Sequence, residues 1–276
     1  MEKLSFIIPI HQYDKSIEEY LSRLIKSIDL QKLGSGQILP KVFIVHDPKI
    51  KELSKLNSDK AKINLLPNTS GDTCYQAQVN FAVKNIETEF FSVLEFDDEI
   101  GDTYVSNVYK HINVMGNNTE GFMPMIIETD SENQALKFTN EPVWSQQFVG
   151  DKGEIGYLSE ELLKEYSDFK LSGAVLNKQS FLSIGGYKTK IKLTFMYEFL
   201  LRAINNGFKL YTIPKIIYKH LIGREGSMFD DYLKNMPIDE RKFWFETAQS
   251  ECMFTKDRDV VYQPQTLSNP EKVEYK

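Results

Sequence analysis

Short apolar runs alternate with amphipathic segments along residues 1–115. The apolar runs cover 4–10, 42–45, 63–66 and 90–94. Continuous runs of this kind are typical of strands that helices cover on both faces. Between them, the apolar positions of 17–28 repeat at helical spacing, and so do those of 74–82 and 105–115. This alternation predicts a three-layer α/β fold.

The pattern is less regular in the second half of the chain. Strands are predicted at 121–127, 171–176 and 208–213, with a further run at 216–220, while residues 128–157 mix polar and aromatic types and match no single element. A helix is predicted around 196–204, ended by Gly207, and two more follow from residue 228. Residues 263–276 contain two prolines and many charges, so we expect a frayed tail there.

Composition places the chain among ordinary soluble proteins. It has 276 residues, 41% of them hydrophobic and 26% charged, and a net charge of −6. The negative charge argues against a large nucleic-acid surface. No apolar run approaches the ~20 residues of a membrane-spanning helix, and the start of the chain does not have the pattern of a signal peptide. Two cysteines do not make a disulfide framework or a zinc site. We therefore expect reduced thiols and a cytoplasmic protein.

The strongest chemical signal is the acidic segment Glu95-Phe96-Asp97-Asp98-Glu99, which directly follows an apolar strand. In open α/β sheets, ligands bind beyond the carboxyl ends of the strands. Crowded carboxylates repel one another unless a cation lies between them, and Mg²⁺ commonly binds one or two carboxylates together with substrate phosphates. The segment thus indicates a divalent metal site, and the alternative is a solvated acidic turn.

The order of the elements resembles the family 2 glycosyltransferases, which have the GT-A fold. The likeness extends from Leu4 to Ser227, and Leu94-Glu95-Phe96-Asp97-Asp98 lies where that family has its Asp-x-Asp motif. Ser172-Gly173-Ala174 and Gly185-Gly186-Tyr187 are similar to the family's acceptor-side strand and Gly-Gly turn. The other matching segments are 4–9, 42–47, 68–80, 198–207 and 213–220.

This resemblance implies a GT-A type α/β/α sandwich with a mixed, mostly parallel central sheet and additional C-terminal helices. Residues 1–115 would form the nucleotide-sugar-binding half and 116–227 the acceptor-binding half, with the C-terminal helices at 228–262. The implied activity is metal-dependent transfer of a hexosyl or pentosyl group, with inversion, from a nucleotide sugar to an acceptor hydroxyl. A UDP sugar is the expected donor, and Mn²⁺ or Mg²⁺ the expected cofactor.

The resemblance also implies site residues. Asp97, Glu95 and His220 would hold the metal. A lone histidine near a strand end is equally often a surface or core residue that binds no metal. Arg224 lies in a loop flanked by glycines, and its guanidinium suits the oxygens of a diphosphate. The alternative is an ordinary surface loop without a binding role. The expected donor-binding residues are Pro9, His11, Tyr13, Asp47, Gly71, Asp72, Gln76, Glu95, Phe96 and Arg224.

Two departures from the family pattern affect the predicted chemistry. The first acid of the metal motif is Glu95, which has a longer side chain than aspartate. The family's Glu-Asp pair, whose aspartate is the catalytic base, falls on Phe195 and Met196, neither of which can accept a proton. Glu198 is the nearest acid and becomes the predicted base, while its spacing from Arg202 also suits an ordinary helix-surface ion pair.

Other functions stay open at the level of sequence. A nucleotidyltransferase has a similar sheet and acidic motif, and a non-catalytic nucleotide- or sugar-binding module would tolerate Phe195 and Met196. The acceptor is equally open: a glycan, a lipid carrier, a protein or a modified nucleic-acid base. The C-terminal helices are expected either to pack on the body or to join a second copy of the chain in a homo-oligomer.

Overall fold

A single mixed sheet is the centre of the fold. The computed structural model describes residues 2–11, 13–141 and 156–264. Its strands are β1 (Leu4–Ile10), β2 (Lys41–His46), β3 (Ile63–Pro67), β4 (Phe90–Val93), β5 (Glu99–Ile100), β6 (Gly121–Thr129), β7 (Ala135–Thr139), β8 (Val175–Asn177) and β9 (Leu210–Leu221). They are arranged in the order β3-β2-β1-β4-β8-β6-β9-β5, with β7 paired to β6.

Most strands of the described sheet run in one direction. β1 pairs in parallel with β2 and β4, and β2 with β3. The short β8 is antiparallel to both β4 and β6, which makes β6 parallel to β4, and β9 is parallel to β6. The carboxyl ends of β1, β2, β3, β4, β6 and β9 therefore lie at the same edge. The prediction of a mixed, mostly parallel sheet is confirmed.

Helices cover both faces of this sheet. The α-helices are α1 (Lys15–Asp29), α2 (Tyr75–Asn85), α3 (Tyr104–Met115), α4 (Glu160–Glu165), α5 (Lys178–Ser183), α6 (Phe195–Asn205), α7 (Met228–Asn235) and α8 (Ile238–Glu251), and a 3-10 helix spans Glu52–Lys55. Alternate residues of β1 enter two separate cores. Phe6 and Ile8 pack with α1 and α3, whereas Ile7 packs with α2 and α6. This arrangement gives the predicted three layers.

The later strands differ from their predicted bounds. The two runs at 208–213 and 216–220 form one strand, β9, because a register shift leaves Pro214 out of the ladder: Pro124 pairs with Ile213, and Met125 with Ile216. A bulge of this kind accommodates a residue that has no N–H to donate. Strand β8 begins only at Val175, after a turn at Ser172 and Gly173. Residues 142–155 of the unassigned segment, and 265–276 of the expected tail, lie outside the described residues.

The C-terminal helices pack on the body of the domain. Trp244 and Ala248 of α8 are buried in the same core as Phe199 of α6. Helix α8 thus packs on the body of the domain, and a homo-oligomer through these helices stays a prediction. Within the described ranges, no helix is both long and apolar enough to cross a membrane.

Candidate functional site

Polar side chains collect at the edge where the parallel strands end. His11 follows β1, Asp47 follows β2, and residues 95–98 come two positions after β4. Glu128 and His220 lie near the ends of β6 and β9. Open α/β sheets bind their ligands at this edge. The topology thus brings together residues that are up to about two hundred positions apart in the chain.

An acid–imidazole cluster lies at the centre of this edge. Single ligand atoms of Glu95, Asp98 and His220 all lie within 4.8 Å of one another. The buried carboxylate of Asp98 accepts hydrogen bonds from His220 Nδ1 at 3.0 Å and from the backbone N–H of Leu221 at 2.9 Å. Burial, together with the charges of Asp98 and Asp97, raises the pKa of Glu95 to about 7. For His220, burial is outweighed by the charge and hydrogen bond of Asp98, which raise the pKa to about 9.

Asp97 faces the Gly-flanked loop instead. Its carboxylate accepts a hydrogen bond from Arg224 Nε at 2.6 Å. The Arg224 guanidinium lies 4.9 Å from the ring centroid of Phe96 and 5.6 Å from that of Tyr20. Burial and the charge of Asp98 raise the pKa of Asp97 despite this partner. The loop therefore already turns Arg224 toward the acids in this structure.

The donor set suits a hard divalent cation. Carboxylate oxygens and one imidazole nitrogen are ligands that Mg²⁺ or Mn²⁺ accepts, and the raised pKa of Glu95 reflects negative charge crowded in a buried place. The predicted ligands were Asp97, Glu95 and His220. The structure instead groups Asp98 with Glu95 and His220, and leaves Asp97 beside them on Arg224.

Neighbouring side chains fix the position of Glu95. The Ser172 hydroxyl donates to its carboxylate, and the Tyr218 hydroxyl accepts from its backbone N–H at 3.2 Å. Gly173 has a φ of +68°, and any Cβ there would overlap the Tyr218 ring. Glycine is needed at this turn because the backbone must pass directly over the aromatic ring.

The β1 side of the site is neutral and aromatic. The His11 ring lies 5.9 Å from that of Tyr75 and 6.4 Å from that of Phe96, and its Nδ1 is buried without a hydrogen-bond partner. Burial and the charge of Arg224 lower the pKa of His11 to about 4. Tyr13 lies half-buried nearby and donates its hydroxyl to Glu18 Oε1 at 2.5 Å.

Three further predicted donor-binding residues lie in turns at this edge. The half-buried Asp47 accepts from the backbone N–H of Lys49 at 2.8 Å, and the exposed Asp72 accepts from that of Cys74 at 3.0 Å. Gly71 is exposed, with a φ of +89° and open space around it. Their placement at the strand ends matches the prediction, and their role in binding stays a prediction.

Three other predicted site residues lie in the core. Pro9 is buried inside β1, and Gln76 is buried and donates to the Ile191 carbonyl at 3.0 Å. Glu198 has no exposed surface. Its carboxylate contacts Arg202 Nε at 2.8 Å, Arg202 Nη2 at 2.9 Å and Lys188 Nζ at 3.3 Å. Because these cations already occupy both oxygens, Glu198 cannot reach an acceptor hydroxyl, and its prediction as the base is wrong.

A pocket of about 500 Å³ opens from the acid–imidazole cluster. Glu95, Asp97 and His220 line one part of it, and Glu128, Lys137 and Lys170 line another. The remaining wall is largely apolar and includes Leu193, Met196, Tyr197, Phe229, Leu233 and Phe245.

Glu128 is a pocket residue that was not predicted from the sequence. The available signal was the one that identified Glu95, namely an acid that directly follows an apolar strand run, here 121–127. Lys137 and Lys170 carried no comparable signal, because they reach the pocket from β7 and from the loop before β8.

Comparisons with known proteins agree with the fold. Crystal structures of S. aureus TarS are similar to this chain. TarS 1–349 in complex with UDP-GlcNAc gives a TM-score of 0.60 at 16% identity, over 83% of this chain and 60% of that one. The same fragment in complex with UDP gives 0.56 at 15% identity, over 91% and 80%. A further TarS crystal structure gives 0.52 at 16% identity, over 91% and 43%.

The fold is that of a GT-A type glycosyltransferase. At 15–16% identity the likeness establishes the fold alone, and the chain spans only 60% of the first TarS structure. No family model matches the sequence, and no curated protein matches it either. Membership of family 2 therefore stays a prediction.

Proposed function

We propose that the chain transfers a sugar from a UDP sugar to an acceptor hydroxyl. The observation that carries this proposal is the acid–imidazole cluster at the carboxyl edge of a GT-A sheet, open to a pocket of about 500 Å³. The TarS structures with UDP-GlcNAc and with UDP support the choice of donor class, since they share this fold.

In this proposal the donor lies along the sheet edge. The base and ribose occupy the side formed by His11 and Tyr13 after β1 and by Asp47 after β2, and the diphosphate reaches Arg224 and the acids. Glu95, Asp98 and His220 would hold Mn²⁺ or Mg²⁺, with Asp97 beside them. When bound, the ion would stabilise the negative charge that gathers on the departing UDP.

The acceptor would enter the pocket from the side of its apolar wall. A direct displacement, with the hydroxyl oxygen attacking from the face opposite UDP, would invert the anomeric carbon. Met196, Tyr197 and Phe229 would exclude water around the reacting carbon, which protects a donor prone to hydrolysis.

A non-catalytic nucleotide-binding module is the second candidate. One observation favours it: Phe195 and Met196, which stand where the resemblance expects acids, are both buried and apolar. Such a module would bind UDP or a UDP sugar without breaking the bond between the sugar and UDP. Measuring UDP release from a panel of UDP hexoses separates the two candidates, because only a transferase turns the donor over.

The proposal is tested by calorimetry of UDP binding with Mn²⁺ and with a chelator. We expect at least tenfold weaker binding in the chelator, because the acids then face the diphosphate uncompensated. Glu95→Gln and Asp98→Asn should each remove most of the metal effect while thermal unfolding stays cooperative. Asp102→Asn is the matched control, because this carboxylate lies outside the cluster and pairs with Lys32 at 2.5 Å. Equal UDP affinity with and without metal would contradict the metal assignment.

A further inference from the structure

A second buried carboxylate shares the pocket with the acid–imidazole cluster. Glu128 leaves only 2% of its side chain exposed, and its Oε1 has no hydrogen-bond partner. Two ammonium groups lie near this oxygen without a hydrogen bond to it, Lys170 Nζ at 3.4 Å and Lys137 Nζ at 3.7 Å. They offset the charge of the carboxylate and leave its oxygen free to accept a hydrogen bond from a ligand.

Strand register places Glu128 beside the cluster. In the ladders of β6, Glu128 is opposite His220 on β9 and opposite Lys137 on β7. Register partners on adjacent strands project from the same face of a sheet. Glu128 and His220 accordingly line one continuous pocket, the first beside Lys170 and the second beside Glu95.

The other acids that line the described pocket are already engaged. Glu95 accepts from Ser172, and Asp97 accepts from Arg224 at 2.6 Å. Asp168 is half exposed and contacts Lys137 Nζ at 2.5 Å. Asp230 Oδ2 also accepts no hydrogen bond, but its side chain is 20% exposed and this oxygen lies 2.5 Å from Lys234 Nζ. Among these acids, Glu128 combines near-complete burial with an oxygen that accepts no hydrogen bond and whose nearest cation, Lys170 Nζ, lies 3.4 Å away.

We propose that Glu128 is the catalytic base, an inference that rests on the proposed transferase function. The acceptor hydroxyl would hydrogen-bond to Glu128 Oε1 and give it the proton as the oxygen attacks the anomeric carbon. The new bond joins that oxygen to the anomeric carbon. The bond to the diphosphate oxygen breaks, and its electron pair leaves with UDP. Glu128 then releases the proton to solvent. This assignment fills the role that Phe195 and Met196 cannot perform.

The test uses water as the acceptor, so that no natural acceptor is needed. The whole 276-residue chain is given Mn²⁺ and the UDP hexose that it hydrolyses fastest, and UDP release is followed over time. Glu128→Gln should lower the rate by ~10²-fold or more and leave UDP affinity within twofold of wild type. Glu132→Gln is the matched control, an exposed glutamate just beyond β6 that should leave the rate unchanged.

Azide separates a base from a residue that only positions its neighbours. The azide anion attacks carbon without losing a proton, and it would give a glycosyl azide and UDP. Azide should therefore raise UDP release by Glu128→Ala at least tenfold, and the wild-type rate much less. A fall of less than tenfold in Glu128→Gln, or no recovery of Glu128→Ala with azide, would overturn the inference. So would loss of the reaction in Asp230→Asn instead, which would place the base on α7.

Failure of the wider proposal has a different signature. If wild-type protein neither binds UDP nor releases it from any UDP hexose, the transferase function is wrong, and the role of Glu128 falls with it. If wild-type protein turns over and Glu128→Gln turns over equally well, the function stands and only the base assignment is overturned.

Discussion

The molecule contains two clusters of buried charged residues, which differ in how fully their charges are paired. The core cluster consists of Glu198, Arg202, Lys188 and Glu251, and the pocket cluster of Glu95, Asp97, Asp98, His220 and Arg224. In the core cluster, both oxygens of Glu198 contact cations, and Arg202 also donates to the carbonyls of Ile184 and Gly186. In the pocket cluster three acids share two cationic groups, and burial raises the pKa of Glu95 to about 7.

The difference shows that burial alone does not mark a functional acid. Glu198 is the more deeply buried carboxylate, yet it binds Arg202, whose guanidinium holds α6 to the turn at Gly186. Lys188 contacts Glu198 and extends the cluster to Glu251 on α8. Glu95 is less buried but has an excess of like charge around it and a cavity beside it. Perturbed acids that open on a cavity are the ones to associate with chemistry.

The largest effect is expected from breaking the core cluster. Arg202→Met would leave Glu198 as a buried charge with Lys188 as its remaining partner, and such losses cost about 3–5 kcal/mol of unfolding free energy. Urea unfolding measures this change. UDP affinity of the folded variant should stay within twofold of wild type, because none of these residues lines the pocket.

The control for that variant is an exposed pair of the same kind. Lys164 and Glu160 form an i, i+4 contact of 2.8 Å on α4, where their side chains are 61% and 43% exposed. Lys164→Met should leave the urea midpoint unchanged, because solvent screens such pairs. The distinction between the two clusters would be wrong if Arg202→Met also left the urea midpoint unchanged. It would be wrong too if the folded variant no longer bound UDP.

Removing a cation from the pocket cluster should weaken UDP binding more than it lowers the stability of the fold. Arg224→Ala removes the cation that faces Asp97 and, in our proposal, the donor diphosphate. We expect UDP binding to weaken by about 1.5–3 kcal/mol, the scale of a charge-assisted hydrogen bond. Uridine, which has no phosphates, should bind as it does to wild type. Calorimetry with both ligands measures the two affinities.

Arg23→Ala is a suitable companion variant. Arg23 lies 4.6 Å from the same Tyr20 ring that Arg224 approaches at 5.6 Å, so both arginines pack on one aromatic side chain. Loss of UDP affinity in Arg23→Ala as large as that in Arg224→Ala would indicate a general effect of positive charge. In that case Arg224 would have no specific contact with the diphosphate.

Local sequence predicted the contiguous acids of the pocket cluster but not the core cluster. Residues 95–98 are contiguous and follow a strand, so topology alone carries them to the ligand-binding edge. His220 was added by resemblance, and Arg224 by the match between a guanidinium in a glycine-flanked loop and a diphosphate. Glu198 was misjudged because its i, i+4 spacing from Arg202 suits an exposed helix as well as a buried one, and only the packing of the Ile184–Gly186 turn and α8 distinguishes them.

Long-range pairing explains the remaining misses. The environment of Glu128 depends on β7, whose first four residues are exposed and therefore do not show a buried-strand pattern. It depends also on Lys170, more than forty positions away in the chain. Neither contact follows from periodicity or from spacing within one element. The same reason applies to Gln76, whose partner Ile191 is 115 residues distant.

The smallest expected effect concerns His11, which faces Arg224 from the β1 side of the pocket cluster. Burial and the charge of Arg224 lower its pKa to about 4, whereas an unfolded histidine has a pKa of 6.5. Between pH 4 and pH 6.5, His11 is protonated in the unfolded chain more often than in the folded protein. It therefore leaves the unfolding free energy unchanged above pH 6.5 and lowers it as the pH falls toward 4. From pH 7.5 to pH 5.5 this cost is about 1.4 kcal/mol. His11→Gln should lack it, so the variant should lose that much less unfolding free energy than wild type over the same range. Urea unfolding at both pH values, in the presence of a chelator, measures the difference.

Identical pH dependence in the two proteins would mean that His11 is protonated as readily in the folded state as in the unfolded chain. The β1 side would then be open to water, rather than the dry, neutral surface that the proposal assigns to the nucleoside.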